Sequence, residues 1–310
     1  MAALNNYKIA VGPSSFAQVS STAIDMLKSA GCEIKVNPYG RKLTEDETIG
    51  LIKDADGLIA GLEPLTRRVL SSAPKLKAIA RVGVGVENID FGAAEEFGVK
   101  VSNTPNGPTD AVAEMTLAAM LGLCRELFQS NKDLHNNNWH KIIGIGLKGT
   151  KVLLIGYGRI GHRVSELLEP FGADIMIYDP YLEFNDSRTI GRKVSLEYGL
   201  SKAQIISLHA SGKEIILGAA EFQLMREKVI LLNSARGGLI QEEALIKALQ
   251  EGKISKVWID AFWEEPYKGE LCNYDQALLT PHISTYTSQC RNDMEIDAVK
   301  NLLKDMEITL

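Results

Sequence analysis

The sequence predicts an α/β protein built from two doubly wound parallel sheets, and three observations predict it. Short apolar runs alternate with amphipathic stretches along most of the chain, the pattern of parallel strands joined by crossover helices. The segment Lys151–Asp179 reads as strand, glycine-rich turn, helix, strand and acid, in that order. A proline-bounded break, Thr104-Pro105-Asn106-Gly107-Pro108, separates two such series and marks a hinge between lobes.

In the first series Tyr7–Val11 reads as a buried strand. A helical pattern then runs from about Phe16 to Ser29, stopped by Gly31, and Cys32–Val36 alternates as a strand. Thr44 and Glu47 form a capping-box pair that starts a helix reaching Lys53. Asp56–Ala60 is a strand, Thr66–Ser72 a helix, Leu76–Val82 a strand, Asn88–Glu96 a helix and Val99–Val101 a strand. After the break, Thr109 to about Gln129 reads as one long helix, apolar on more than one face. Ser130–Gly149 is polar yet holds Trp139, which suits either a dimer arm or local packing.

The second series opens with the apolar strand Val152–Ile155, followed by Gly156-Tyr157-Gly158-Arg159-Ile160-Gly161. The first glycine permits a tight turn, the second lets backbone approach a pyrophosphate, and the third lets the helix sit close to the strand. The helix N-terminus offers free N–H groups and partial positive charge to phosphates. The next strand, Ile175–Tyr178, ends at Asp179-Pro180, where a carboxylate can accept the adenosine ribose hydroxyls. That carboxylate would repel a 2′-phosphate, so the expected cofactor is NAD. Gln204–Leu208, Val229–Asn233, Val257–Asp260 and Leu278–Thr280 read as further strands, with a clear helix over Glu242–Gln250. Ser288–Met306 is a final amphipathic helix, expected to cross back onto the first lobe.

The net charge of −5 and the scattered basic residues give no footprint for nucleic acid or an anionic membrane face. No apolar run approaches the roughly 20 residues that span a bilayer, and the first residues lack a signal-peptide pattern. Cys32, Cys124, Cys272 and Cys290 are widely spaced, without metal-ligand spacing, and read as inert filling in a reducing, cytoplasmic setting.

Three chemical groups stand where second-series strands end, the edge at which open α/β sheets bind ligands. Arg236 follows Val229–Asn233, Glu265 follows Val257–Asp260, and His282 follows Leu278–Thr280. A base for a hydroxyl proton, a cation for a carboxylate and an acid partner for the base are what hydride transfer to or from a 2-hydroxy or 2-oxo acid needs. Alone, Arg236 reads as a turn residue, Glu265 as a solvated carboxylate and His282 as structural. Their recurrence at strand ends carries the argument.

Several stretches together resemble the D-isomer-specific 2-hydroxyacid dehydrogenase family: Arg81–Asp90 (RVGVGVENID), Asn103–Glu114, GYGRIG with YDP, NSARGG, IDAFWEEP and Leu279–Ser284 (LTPHIS). The resemblance covers nearly the whole chain. It implies two Rossmann-like domains, the NAD domain inserted into the substrate domain. Residues 1–103 plus 286–310 would form a flavodoxin-like substrate-binding domain, and 104–285 the NAD-binding Rossmann domain. It implies an NAD-dependent D-2-hydroxyacid dehydrogenase, usually a homodimer. Arg236, Glu265 and His282 would be catalytic. The fingerprint residues, Asp179, Pro180, His209, Ala235 and Asp260 would bind cofactor, Asp260 at the nicotinamide carboxamide. Val82, Gly83 and Val84 would bind substrate with Arg236 and His282, the Gly83 and Val84 N–H groups holding a carboxylate.

The sequence departs from the family in three places. The segment Ala210–Lys213 after His209 is short. Gly61-Leu62-Glu63-Pro64 stands where phosphoglycerate dehydrogenases often carry an arginine for the substrate phosphate. The sequence runs to Leu310, and the C-terminal regulatory domain of longer phosphoglycerate dehydrogenases is not expected. Two alternatives stay open: D-3-phosphoglycerate dehydrogenase specifically, and a non-catalytic NAD(H)-sensing protein of the same fold.

Overall fold

Each apolar run of the first series becomes a strand, and the strands lie side by side. β1 (Lys8–Val11), β2 (Glu33–Val36), β3 (Gly57–Ala60), β4 (Ala78–Arg81) and β5 (Lys100–Asn103) form a parallel sheet ordered β2-β1-β3-β4-β5. The computed structural model describes residues 7–182 and 189–309. They fall into two units, one taking the chain up to Pro108 and from Tyr286 onward, the other Thr109–Thr285. The first unit ends at Pro108, five residues beyond the expected domain boundary at 103, and Thr104 is tied back to it. The Thr104 N–H donates to the Gly83 carbonyl at 3.1 Å, and Thr104 Oγ1 accepts from the Gly83 N–H at 2.7 Å.

The first unit buries Leu58, Ala60, Leu65, Val69, Ile79 and Ala93 in one core. Its helices include α1 (Thr22–Ser29), α2 (Glu45–Ile52), α3 (Arg67–Ser71) and α4 (Phe91–Glu96). The capping box at α2 forms: Glu47 Oε2 accepts from the Thr44 N–H at 2.8 Å, and Arg41 with that N–H holds the Glu47 carboxyl down at about 2. The helix expected from Phe16 begins only at Thr22. Ala17 takes a left-handed φ of 59°, and its N–H donates to Glu295 Oε2 at 2.8 Å instead of entering a helical ladder. The last helix, Ser288–Asp305, packs on β3. A Cβ on Gly57 would lie 3.3 Å from Leu302 Cδ1.

In the second unit β6 (Lys151–Ile155), β7 (Asp174–Tyr178), β8 (Arg192–Lys193), β9 (Ile205–Leu208), β10 (Val229–Asn233), β11 (Ile254–Ile259) and β12 (Ala277–Leu279) form one sheet. Its order is β12-β11-β10-β9-β6-β7-β8, every pair parallel. Alternate residues serve opposite faces. Leu153, Ile155, Ile206, Leu231 and Ile259 enter one core, whereas Val152, Leu154, Ile205, Leu232 and Trp258 enter the other. Burial on both faces is why these strands read as unbroken apolar runs.

The helix expected over Thr109–Gln129 is two: α5 (Pro108–Cys124) and α6 (Leu127–His135). Glu126 breaks it with a left-handed φ of 58°, and Glu126 is held there by an ion pair with Lys256. Three cysteines are buried, as filling would be, and burial pushes the Cys124 and Cys290 thiols up to about 11. Cys272 instead is exposed. Among the described residues no helix is long and apolar enough to cross a membrane.

Candidate active site

Because all strands of the second sheet are parallel, their carboxyl ends share one edge. Sheet order therefore sets the order of the groups along it: His282 after β12, Glu265 after β11, Arg236 after β10, His209 after β9, the glycine turn after β6 and Asp179 after β7. The chain reverses direction of growth between β6 and β9, the switch point at which such sheets open a crevice.

The turn at that point is shaped by close approach. Gly156 has φ +92°, and a Cβ there would sit 2.5 Å from the Ala210 N, so the short loop after β9 presses directly on it. A Cβ on Gly161 would lie 2.2 Å from the Gly156 carbonyl oxygen, which is how closely α7 (Arg159–Leu168) approaches β6. At Gly158, the N-cap of α7, a Cβ would meet nothing within 4 Å. Tight contact at the first and third glycines with open space at the second is the cradle a pyrophosphate requires. Asp179 accepts from the Tyr157 N–H at 2.7 Å on one oxygen and from the Tyr181 N–H at 2.8 Å on the other. It is fixed at the strand end, with lone pairs left for ribose hydroxyls. These residues fit a dinucleotide.

Not every fingerprint side chain faces that space. The Tyr157 ring is buried, sharing a 2.8 Å hydrogen bond with Ser165 Oγ and accepting from the Ile190 N–H at 2.8 Å, so Tyr157 offers a cofactor its backbone. Ile160 packs on the core, whereas Arg159 and Pro180 are exposed. His209 shares a 2.9 Å hydrogen bond with Ser207 Oγ, and burial pushes its imidazole down to about 4.

At the other end of the edge, His282 Nδ1 lies 2.9 Å from Glu265 Oε1 and 3.1 Å from Oε2. This carboxylate, ahead of the opposing effect of burial, raises the His282 pKa; Asp260 adds to the rise and Arg236 opposes it. Arg236 is brought alongside by backbone. A Cβ on Gly237 would lie 2.2 Å from the Phe262 carbonyl carbon, so the loops after β10 and β11 touch. Asn233 secures the first of these loops: its Nδ2 donates to the Arg236 carbonyl at 2.8 Å, and its Oδ1 accepts from the Ala235 N–H at 3.0 Å. The Phe262 N–H in turn donates to Glu265 Oε1 at 3.2 Å.

Asp260, expected at the nicotinamide carboxamide, is fully buried and holds the histidine loop. Its Oδ1 accepts from Thr280 Oγ1 at 2.6 Å and the Ile283 N–H at 2.9 Å, and its Oδ2 from the Ser284 N–H at 3.0 Å and Ser284 Oγ. Four donors reach its two oxygens and fix residues 280–284, with His282 at a φ of 54°. Thr280, Ser284 and Asn233 were not singled out from sequence. The two hydroxyls bracketing Pro281-His282 were the available signal.

In the first unit, Val82 is buried, and its N–H extends the sheet by donating to the Ala60 carbonyl at 2.9 Å. The Gly83 N–H, expected to hold a substrate carboxylate, is committed to Thr104 Oγ1, which leaves the exposed Val84 as the member of the three nearest solvent.

Residues 117–284 match the family model "D-isomer specific 2-hydroxyacid dehydrogenase, NAD binding domain". The D-3-phosphoglycerate dehydrogenase of Methanocaldococcus jannaschii is 38% identical over 279 residues, covering 87% of this chain and 52% of that protein. The glyoxylate reductase of Thermococcus litoralis is 34% identical over 267 residues, 81% of each. A solved structure of a Thermus thermophilus protein aligns with a TM-score of 0.88 at 30% identity over 97% of both chains. The chain spans about half the length of the phosphoglycerate dehydrogenases it matches, and most of the glyoxylate reductase. The strand-end groups, the glycine cradle and these similarities converge: the chain belongs to the D-isomer specific 2-hydroxyacid dehydrogenase family and carries that family's NAD binding domain.

Proposed function

We propose that the protein interconverts a small D-2-hydroxy acid and its 2-oxo acid with NAD(H), through His282, Glu265 and Arg236. The observation that carries this reading is the Glu265–His282 hydrogen bond at 2.9 Å, on the same sheet edge as the glycine cradle. Bound NADH supplies the hydride. His282, whose protonated form Glu265 favours, donates a proton to the oxygen that gains charge as the carbonyl is reduced; in oxidation the neutral ring takes it back. The Arg236 guanidinium binds the substrate carboxylate and offsets the developing oxyanion. The first unit acts as the substrate-binding domain in this reading. The alignment of the Glu265 carboxylate on the His282 imidazole favours the enzyme over a protein that only senses NAD(H). The test is NADH oxidation with glyoxylate, hydroxypyruvate, 2-oxobutyrate and 3-phosphohydroxypyruvate. Turnover of none, with NADH still bound, would leave the sensing role.

The reading includes a homodimer. Leu127, Phe128 and Leu134 on α6 are exposed, and in the segment after it Trp139 is 80% and Ile143 96% exposed, a run of apolar surface suited to a second copy. Sedimentation equilibrium of wild type and a Trp139→Ala/Ile143→Ser double variant tests it. A monomeric wild type would defeat it. A cytoplasmic site of action completes the reading, supported by four unpaired cysteines. Fractionation of cells expressing the full-length protein checks it.

A further inference from the structure

The loop that carries Glu265 leaves β11 at Asp260 and holds three aromatic residues, Phe262, Trp263 and Tyr267. The Phe262 and Tyr267 rings stack, with centroids 4.6 Å apart and planes at 21°, and so close the loop on either side of Glu265. The Trp263 and Tyr267 rings lie 6.1 Å apart. All three pack against the core on one face of the second sheet.

The polar ends of this cluster reach one segment, the one that follows Arg236. The Trp263 Nε1–H donates to the Ile240 carbonyl at 2.6 Å, and the Tyr267 O–H donates to Glu242 Oε1 at 2.5 Å. Arg236 and Ile240 flank the 3-10 turn Gly237–Leu239, and Glu242 opens the helix Glu242–Gln250. The Tyr267 oxygen also accepts from the Leu271 N–H at 3.1 Å, and a Cβ on Gly269 would lie 2.3 Å from it. The rest of the loop thus wraps closely round the same atom. Burial, and then Glu242, push the Tyr267 phenol up, so it stays a donor.

The Glu265 side chain is 35% exposed and that of His282 40%, so water competes for both groups. Their 2.9 Å contact therefore depends on how firmly the two loops are held. Asp260 fixes the loop of His282. The aromatic cluster is what fixes the loop of Glu265.

We propose that Tyr267 is a positioning residue: its ring and phenol clamp the Glu265 loop to the segment that follows Arg236, and so hold the Glu265 carboxylate on the His282 imidazole. The proposal rests on the dehydrogenase reading for its catalytic meaning, but the contact itself can be read without turnover.

The test is an NMR titration of His282 in protein labelled at its histidines, with the signal assigned by its loss in His282→Gln. Glu265, Asp260 and Arg236 are the charged groups acting on this ring, and the variants leave all three in place. Tyr267→Phe keeps the stack and removes the phenol, whereas Glu242→Ala removes the same hydrogen bond from its other end. Each is expected to lower the His282 pKa by about 1 unit, part of what an opposite charge in contact supplies. The double variant falls no further, because both changes break one tie. Glu242→Gln keeps an acceptor and restores most of the wild-type value. The falling limb of kcat/KM for reduction moves with the titration, so at a fixed pH above the pKa each single variant loses about tenfold. A lower melting temperature with the His282 titration unmoved would show a merely structural tyrosine and overturn the proposal, as would additive shifts in the double variant. Should Tyr267→Phe not fold, Glu242→Ala decides by the same criterion. If no 2-oxo acid is turned over, the dehydrogenase reading fails, and the titration still decides whether Tyr267 holds Glu265 on His282.

Discussion

His282 Nδ1 stands 2.9 Å from Glu265 Oε1, although the two residues are separated by a strand and leave the sheet at different strand ends. The carboxylate favours the imidazolium, so the His282 pKa is raised. The protonated ring is present below that raised pKa and is lost as pH rises through it. Reduction of a 2-oxo acid should therefore decline with rising pH through the His282 pKa, and oxidation should increase. Glu265→Gln keeps an acceptor but removes the charge, and moves the falling limb for reduction to lower pH. The pH dependence of kcat/KM for both proteins is the measurement, and superimposable profiles would remove Glu265 from this role. His282→Ala should cost about 10²–10⁴-fold in kcat while leaving NADH affinity intact.

Asp260 ties down the His282 loop through four donors at its two oxygens. In Asp260→Asn an amide NH2 replaces one acceptor and leaves buried donors facing donors. Each unsatisfied group costs about 1–3 kcal/mol, and urea denaturation should show a loss of at least that size. kcat should fall as well, because the loop that carries His282 loses its anchor. Stability and turnover both at wild-type level would contradict this account.

Cofactor choice should follow Asp179, whose oxygens are fixed by the Tyr157 and Tyr181 N–H groups. A carboxylate there accepts ribose hydroxyls and repels a 2′-phosphate, so kcat/KM should be clearly higher with NADH than with NADPH. Asp179→Ala should narrow the gap, mainly by weakening NADH. Equal efficiency with the two cofactors in wild type would refute the assignment.

Gly161→Ala places a methyl 2.2 Å from the Gly156 carbonyl oxygen, so helix and strand must separate. Overpacking of this kind costs about 1–3 kcal/mol. Because the same movement displaces the phosphate cradle, NADH affinity should fall together with the melting temperature. Gly158→Ala has open space and should spare stability. A Gly158→Ala protein that unfolds as readily as Gly161→Ala would show that the open space is not what distinguishes the two glycines.

His209, held down at about 4 by burial, binds its proton in the unfolded chain near pH 6.5 but not in the folded one. The unfolded state therefore holds more protons between those values, and stability should drop as pH falls from about 6.5 towards 4. His209→Gln should flatten that segment of the stability profile, read by urea denaturation at several pH values. An unchanged slope would mean that His209 is not the responsible group.

The periodicity of apolar runs was enough to place nearly every strand, because strands buried on both faces read as apolar without interruption. It failed where a single residue overrode the local pattern. The helix begun too early at Phe16 and the one carried through Glu126 were both cut by left-handed residues, Ala17 and Glu126. Tertiary partners hold both: Glu295 accepts the Ala17 N–H, and Lys256 pairs with the Glu126 side chain. Periodicity is blind to partners so distant in sequence.

The sequence by itself determined the chemistry available at one sheet edge. A parallel sheet carries whatever follows each strand to the same side, so Arg236, Glu265, His282, the glycine turn and Asp179 were legible as neighbours before any coordinates. Tertiary structure alone decided what those neighbours do to each other. It turned Tyr157 into the core, spent the Asp260 carboxylate on Thr280, Ile283 and Ser284, and committed the Gly83 N–H to Thr104. It also folded Glu63 back over Gly61. The physical reason is that a hydrogen bond depends on distances of a few tenths of an ångström between groups far apart in the chain. Strand periodicity fixes which edge a residue reaches, and the packing of loops beyond that edge fixes which partner it meets.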